Sequence, residues 1–287
     1  MKVWILGAGG QLGGALVDRC EVLGISFLAS KREEADITDL ELLKRKAEKS
    51  HCTHIINCAA YTDVDGAERE SQRAFAINAT GSENVGIVAR ENGMRLVHVS
   101  TDYVFDGEKD VPYHEKDRPN PLGVYGKSKW EGEERVLEQL SSACIVRTSW
   151  IFGHEGKNFI SSLLSKLQEQ DHIQAVHDQM NRATYNRDLA GALVDLSCHS
   201  GIFHFANEGA ISRYKIAKDF FQEAASRGIP LKCQKISPVS MNAFPNVSPR
   251  PIYSVLDTKK VSLALGRKPR MWETILKEYF DHVSSLH

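Results

Sequence analysis

The order in which short apolar runs and helical stretches alternate constrains this chain more than any other feature. Val3–Leu6 reads as a strand, Gln11–Gly24 as an amphipathic helix and Ser26–Ala29 as a second strand. Leu40–Ser50 follows as a helix, His54–Cys58 as a third strand and Ala67–Asn92 as a helical stretch. Arg95–Ser100, a helix at Tyr125–Gln139 and Ala143–Thr148 complete the series. Strands this short and apolar have no wet face, and strands that alternate with helices pair in parallel. The pattern predicts an α/β fold: a doubly wound, Rossmann-like parallel sheet covered by helices on both faces.

Beyond Trp150 the alternation loosens. Helices are expected at Phe159–Gln170, Tyr214–Arg227 and Met271–Val283, separated by irregular sequence carrying Pro238, Pro245, Pro249 and Pro251. The expected organisation is a dinucleotide-binding domain of residues 1–152 plus roughly 171–205. A smaller, discontinuous substrate-binding region takes roughly 153–170 plus 206–287. A length of 287 residues suits one large unit and one smaller one.

The first strand runs into Gly7-Ala8-Gly9-Gly10-Gln11-Leu12-Gly13, where Gly7, Gly10 and Gly13 give the spacing G-x-x-G-x-x-G. At the start of a βαβ unit such glycines turn the chain, admit a pyrophosphate to the backbone and let helix approach strand. The helix N-terminus offers free N–H groups to phosphates. The tighter G-x-G-x-x-G pattern is not met, because its sixth position is Leu12. The second strand ends in Ser30-Lys31-Arg32, where an NAD site usually carries an acidic residue for the ribose 2′-hydroxyl. A hydroxyl followed by two cations suits a 2′-phosphate, so NADP(H) is the expected cofactor and NADH an alternative.

Lys and Arg total 36 against 37 Asp and Glu, a net charge of -1, and no basic tract stands out. Nucleic acid and membrane surfaces are therefore not expected partners. No apolar run has the length of a signal peptide or a bilayer span, which makes the cytoplasm the expected location. The six cysteines are widely spaced without a C-x-x-C pair and read as reduced core thiols. His51-Cys52-Thr53-His54 fits no zinc spacing, and no metal is expected.

Tyr125 and Lys129 stand four apart at the start of a helix, so both side chains share one face. A phenol beside an ammonium is a proton donor whose pKa the cation is expected to draw down. Tyr214 and Lys218 repeat the spacing but lie in an amphipathic helix without a hydroxyl-bearing strand end before it, and read as structural. The first pair follows a strand ending in Ser100-Thr101, either of which could bond a substrate carbonyl beside Tyr125.

With these residues in place, the chain resembles the dTDP-4-dehydrorhamnose reductase family of extended short-chain dehydrogenases. The matching runs include Gly7–Gly13, Asp36-Ile37-Thr38-Asp39, Asn57–Thr62 with Asp65 and Glu68, and Ser100–Gly107. They continue through Tyr125–Lys129 with Gly132-Glu133, Arg147–Gly153, Arg250–Asp257 and Pro269-x-x-Trp272, covering essentially the whole chain. The resemblance implies NADPH-dependent reduction of the C4 keto group of a nucleotide-linked deoxysugar, with dTDP-4-dehydro-L-rhamnose as substrate. It implies a triad in which Tyr125 protonates the C4 oxygen, Lys129 binds the nicotinamide ribose and tunes Tyr125, and Thr101 polarises the carbonyl. Asp36 and Ile37 would flank the adenine, and Ala59, Ala60 and Tyr61 would line the cofactor groove. Thr62, Asp102, Tyr103 and Trp150 would face the sugar, whereas His98 reads as a strand residue.

The sequence departs from the family pattern in one place. Its usual Asp-Gln-x-Gly-x-Pro-Thr run is Asp178-Gln179-Met180-Asn181-Arg182-Ala183-Thr184, so the glycine and the proline are gone. A different path of the substrate lip is expected there. Arg187, directly before Asp188, argues against the acidic metal site at a dimer contact that some members use. Homodimers occur in the family, although the sequence marks no self-complementary surface. The alternatives are another nucleotide-sugar reductase or epimerase, or a non-catalytic NADP-binding regulatory subunit resembling the methionine adenosyltransferase β-subunit.

Overall fold

The computed structural model describes residues 1–156, 158–244 and 248–284, with residues 283 and 284 described by their backbone only. Strands β1 (Lys2–Leu6), β2 (Ser26–Ser30), β3 (His54–Asn57), β4 (Arg95–Thr101) and β5 (Cys144–Thr148) alternate with helices α1 (Gln11–Val22), α2 (Leu40–Ser50), α3 (Val64–Arg69), α4 (Ser71–Phe75), α5 (Ser82–Glu91) and α6 (Val124–Gln139). The single helical stretch expected over 67–92 is α3, α4, a π-helical turn at Ala76–Gly81 and then α5.

The second half adds short strands β6 (Ile151–Phe152), β7 (His172–Val176), β8 (Met180–Asn181), β9 (Thr184–Tyr185), β10 (Gly201–His204), β11 (Ile211–Ser212) and β12 (Lys235–Val239). Its helices are α7 (Phe159–Glu169), α8 (Asn186–Asp195), α9 (Arg213–Ser226), α10 (Lys259–Leu265) and α11 (Trp272–Ser284). The main sheet has the order β10-β5-β4-β3-β1-β2, all parallel. Its sixth strand, β10, has no counterpart in the sequence reading.

Alternate residues of each strand face opposite helical layers, as the period of two requires. Val3 and Ile5 of β1 pack with Leu12 and Leu16 of α1 and Leu189 and Leu193 of α8. Trp4 and Leu6 pack with Leu43 of α2, Val85 and Val88 of α5 and Val136 of α6. A separate core joins Phe152, Leu163, Ile173, Ile216, Phe220, Trp272 and Phe280. Strand β7, assigned from sequence to the nucleotide-binding unit, pairs in parallel with β12 and sends Ile173 and Ala175 into this second core.

Candidate active site

Strands β1 and β3 are neighbours, yet the chain leaves β1 for β2 on one side and returns to β3 on the other. Such a switch point opens a crevice at the C-terminal strand ends. The glycine turn lies across it. Gly7 has φ +80°, and a Cβ there would stand 2.7 Å from the Ala59 nitrogen at the end of β3. A Cβ on Gly13 would stand 2.2 Å from the Gly7 carbonyl oxygen, so only glycine lets α1 come this close. No side chain caps α1 at Gly10, which leaves its first N–H groups free for an anion.

A cavity of about 1010 Å³ extends from this turn toward the second core. Gly7, Gly10, Gln11, Leu12 and Gly13 line it from the turn, and Lys31, Arg32, Asp36 and Ile37 from beyond β2. Ala59, Ala60 and Thr62 line it from beyond β3, facing Thr101, Asp102, Tyr103, Tyr125, Lys129 and Trp150. Two expected residues lie outside the lining. The buried Ser30 hydroxyl accepts a hydrogen bond from Trp4 Nε1 at 3.0 Å, and its carbonyl accepts from Gly7 and Ala8. Ser30 thus braces the glycine turn, and of the three residues only Lys31 and Arg32 line the cavity. Tyr61 turns away as well: its hydroxyl donates to Glu70 at 2.9 Å and its N–H to Asn78 Oδ1 at 2.8 Å.

The prolines before α6 and the glycines within it set Tyr125 in place. Val124 N–H donates to Glu68 Oε1 at 2.8 Å, and a Cβ on Gly126 would stand 2.2 Å from the Tyr103 carbonyl oxygen. The first turn therefore sits directly on the end of β4. Tyr125 packs edge-on against Tyr103, with ring centroids 5.6 Å apart. Burial pushes its pKa up, while the Thr101 hydroxyl bonded to it pulls the other way. The expectation that Lys129 draws this pKa down is thus corrected: the Lys129 Nζ donates to the Val99 carbonyl at 2.7 Å, and burial dominates Tyr125. A raised pKa keeps the phenol protonated at neutral pH. Burial also lowers the Lys129 pKa to about 8, with the Glu133 carboxylate opposing.

Of the two candidate hydroxyls, Ser100 is committed elsewhere. It donates to Glu133, which is also held by Arg147 through Nε at 2.9 Å and Nη2 at 2.6 Å. Thr101 remains the hydroxyl beside Tyr125. The Tyr214–Lys218 pair lies outside the cavity lining; Tyr214 packs on the second core, with the Lys218 ammonium 5.7 Å from its ring.

The sequence reading missed two cations. Arg213, first residue of α9, lines the cavity with its guanidinium 4.7 Å from the Trp150 ring and 4.6 Å from that of Phe159. Arg250 also lines it, donating to Asp65 at 3.0 Å through Nη2. The Arg250-Pro251 pair was a signal for the second; nothing local marks the first. Trp150 holds φ +41°, a conformation bulky side chains rarely adopt, and its buried Nε1 has no protein partner. Strain of about 1–3 kcal/mol of this kind persists where the surroundings enforce it, and clusters at functional sites.

A glycine turn at a switch point, with a tyrosine, a lysine and a hydroxyl lining the same cavity, defines a nicotinamide-dependent oxidoreductase of the short-chain dehydrogenase class. The pattern described as "RmlD substrate binding domain" matches residues 1–285. The chain belongs to this family, that of the dTDP-4-dehydrorhamnose reductases. It is 39% identical to a dTDP-4-dehydrorhamnose reductase of Mycobacterium tuberculosis, over 96% of this chain and 91% of that one. It is 35% identical to the spore coat polysaccharide biosynthesis protein SpsK of Bacillus subtilis, over 99% and 98% of the two chains. A crystal structure of dTDP-4-dehydrorhamnose reductase from Bacillus anthracis in complex with NADP superposes with a TM-score of 0.93 at 34% identity, covering 98% of this chain and 99% of that one.

Proposed function

We infer that this protein reduces the C4 keto group of a dTDP-linked deoxysugar with NADPH, and that dTDP-4-dehydro-L-rhamnose is its substrate. The observation that carries the reading is the convergence of Thr101, Tyr125 and Lys129 on the same cavity as the glycine turn. The uncapped start of α1 and the Lys31-Arg32 pair fit a dinucleotide carrying a 2′-phosphate. When bound, the nicotinamide supplies a hydride. Tyr125 donates its proton to the C4 oxygen, and the Thr101 hydroxyl beside the phenol orients it. Lys129 binds the nicotinamide ribose. Thr62, Tyr103 and Trp150 hold the sugar, whereas the buried Asp102 carboxylate is taken by protein donors; Arg213 and Arg250 place two cations where the diphosphate can reach them. No helix among the described residues is long and apolar enough to cross a membrane. The family resemblance supports a cytoplasmic enzyme and a homodimer.

Absorbance of NADPH, followed with enzymatically generated dTDP-4-dehydro-L-rhamnose, tests the reading. Rapid oxidation is expected; NADPH binding without oxidation of any dTDP-keto-sugar overturns it and favours a regulatory subunit. A second measurement tests the cofactor preference. Lys31→Ala/Arg32→Ala is expected to weaken NADPH binding about tenfold and to leave NADH nearly unaffected, since only the former carries the extra phosphate. Equal losses for both cofactors would remove these cations from the phosphate site.

A further inference from the structure

We propose that Asn181 is a positioning residue for the reduction: with Ser254 it clamps the Asp102 carboxylate, and through that carboxylate fixes the Thr101 hydroxyl beside Tyr125. The proposal rests on the roles given above to Thr101 and Tyr125. Asn181 stands where the family pattern carries glycine, so the departure in the substrate lip brings a side chain with a task.

The geometry leaves that side chain little choice. Its Oδ1 accepts the Arg182 N–H at 2.8 Å, which fixes which way the amide faces. Its Nδ2 then donates to Asp102 Oδ2 at 2.7 Å and to Ser254 Oγ at 2.9 Å. Ser254 Oγ donates in turn to the same Asp102 oxygen at 2.7 Å. On the other carboxylate oxygen, Thr101 Oγ1 donates at 3.2 Å while accepting the Tyr103 N–H at 3.2 Å. Asn181 and Ser254 are 0% exposed and Asp102 1%. Three donors from three separated stretches of chain thus meet on one buried carboxylate at the catalytic end of β4. Buried polar groups in such a network fix a single arrangement only while every member is satisfied.

The arrangement requires an ionised Asp102. Once protonated, the carboxyl must itself donate, and one of its three donors loses an acceptor. Thr101 has the longest of the three bonds. Burial raises the Asp102 pKa to about 6, against the hydrogen bonds from Ser254, Asn181 and Thr101 that lower it. The other titratable and charged groups facing this region are the Tyr103 and Tyr125 phenols, the Arg213 guanidinium, and Arg250 across Tyr103. Burial raises both phenols, so they stay neutral near pH 7, and arginine stays charged. The Lys129 ammonium titrates higher, at about 8. The sign follows: Thr101 is correctly held above the Asp102 pKa and released as pH falls through it. Removing a donor raises that pKa and moves the loss toward neutrality.

The test is the pH profile of kcat/KM for dTDP-4-dehydro-L-rhamnose at saturating NADPH, from pH 5 to 9, for wild type, Asn181→Leu and Ser254→Ala. Wild type should lose activity below about pH 6. In both variants the acid limb should move up by about one unit, leaving about one-fifth of wild-type activity at pH 6 and near-normal activity at pH 8.5. Thermal melting and NADPH affinity at pH 8.5 check the fold, and the milder Ser254→Ala decides alone if Asn181→Leu does not fold. A limb that stays in place in the folded variants overturns the proposal. Full turnover by Tyr125→Phe would sink the underlying reading instead, whereas an inactive Tyr125→Phe with an unmoved limb removes only the role of Asn181.

Discussion

Tyr125→Phe should lower kcat for the keto-sugar by about 10²–10⁴-fold, the usual worth of a positioned general acid, while NADPH affinity stays within about twofold. The substitution deletes one hydroxyl and keeps the ring that packs edge-on against Tyr103, so the wall of the cavity survives. The lost group is the phenol beside Thr101. Tyr214→Phe is the matched control: it shares the sequence spacing but sits on the second core, and its turnover should stay within about twofold of wild type. Stopped-flow and steady-state NADPH oxidation together separate hydride chemistry from binding. Near-normal kcat in Tyr125→Phe would require a different proton donor.

Arg147→Leu should be among the most destabilising substitutions in the protein. Arg147 and Glu133 are each 2% exposed and joined through two guanidinium nitrogens, with Ser100 donating to the same carboxylate and the Arg147 guanidinium 5.2 Å from the Phe105 ring. Removing the cation leaves Glu133 buried with its principal partner gone, a change that costs about 3–5 kcal/mol in comparable pairs. Replacing both with leucine should recover much of the loss, because the desolvation penalty disappears with the charges. Urea denaturation of the two single variants and the double variant measures this. A double variant as unstable as the sum of the singles would show that packing, not the uncompensated charge, dominates.

The sequence made the first half of the site legible because its signals are local. The glycine turn, the basic pair after β2 and the Tyr125–Lys129 spacing each occupy a few consecutive residues, and each lines the cavity. What it concealed is what tertiary packing assembles. Ser30 looked like a phosphate ligand because it precedes two cations, but Trp4 reaches its hydroxyl across the sheet. Arg213 carries no local mark, and becomes part of the site only when the start of α9 is brought against Trp150. Strand β12 escaped because Pro238 argues against a strand; a two-stranded parallel pair leaves one edge free, and there a missing N–H costs nothing. The lip at 181–183 looked like lost turn chemistry, and its meaning depends on Asp102 and Ser254, both distant in sequence.

The interlacing of the cores makes their dependence on one another unequal. Residues of the first five sheet strands and their helices follow one another without interruption, whereas the second core is gathered in three visits. The chain contributes Phe152–Tyr185 to it, goes back to the sheet for Leu189–Phe205, returns for Ile211–Cys233, touches the sheet core again at Val261 and ends with Trp272–Phe280. While the sheet is folded, the first two excursions begin and end on it, and closing the second core costs less chain entropy. If the sheet melts, those excursions become long floppy loops, and the same contacts must bear the full closure cost. The sheet thus acts as a loom for the substrate-facing half, holding both ends of two threads and one end of the third.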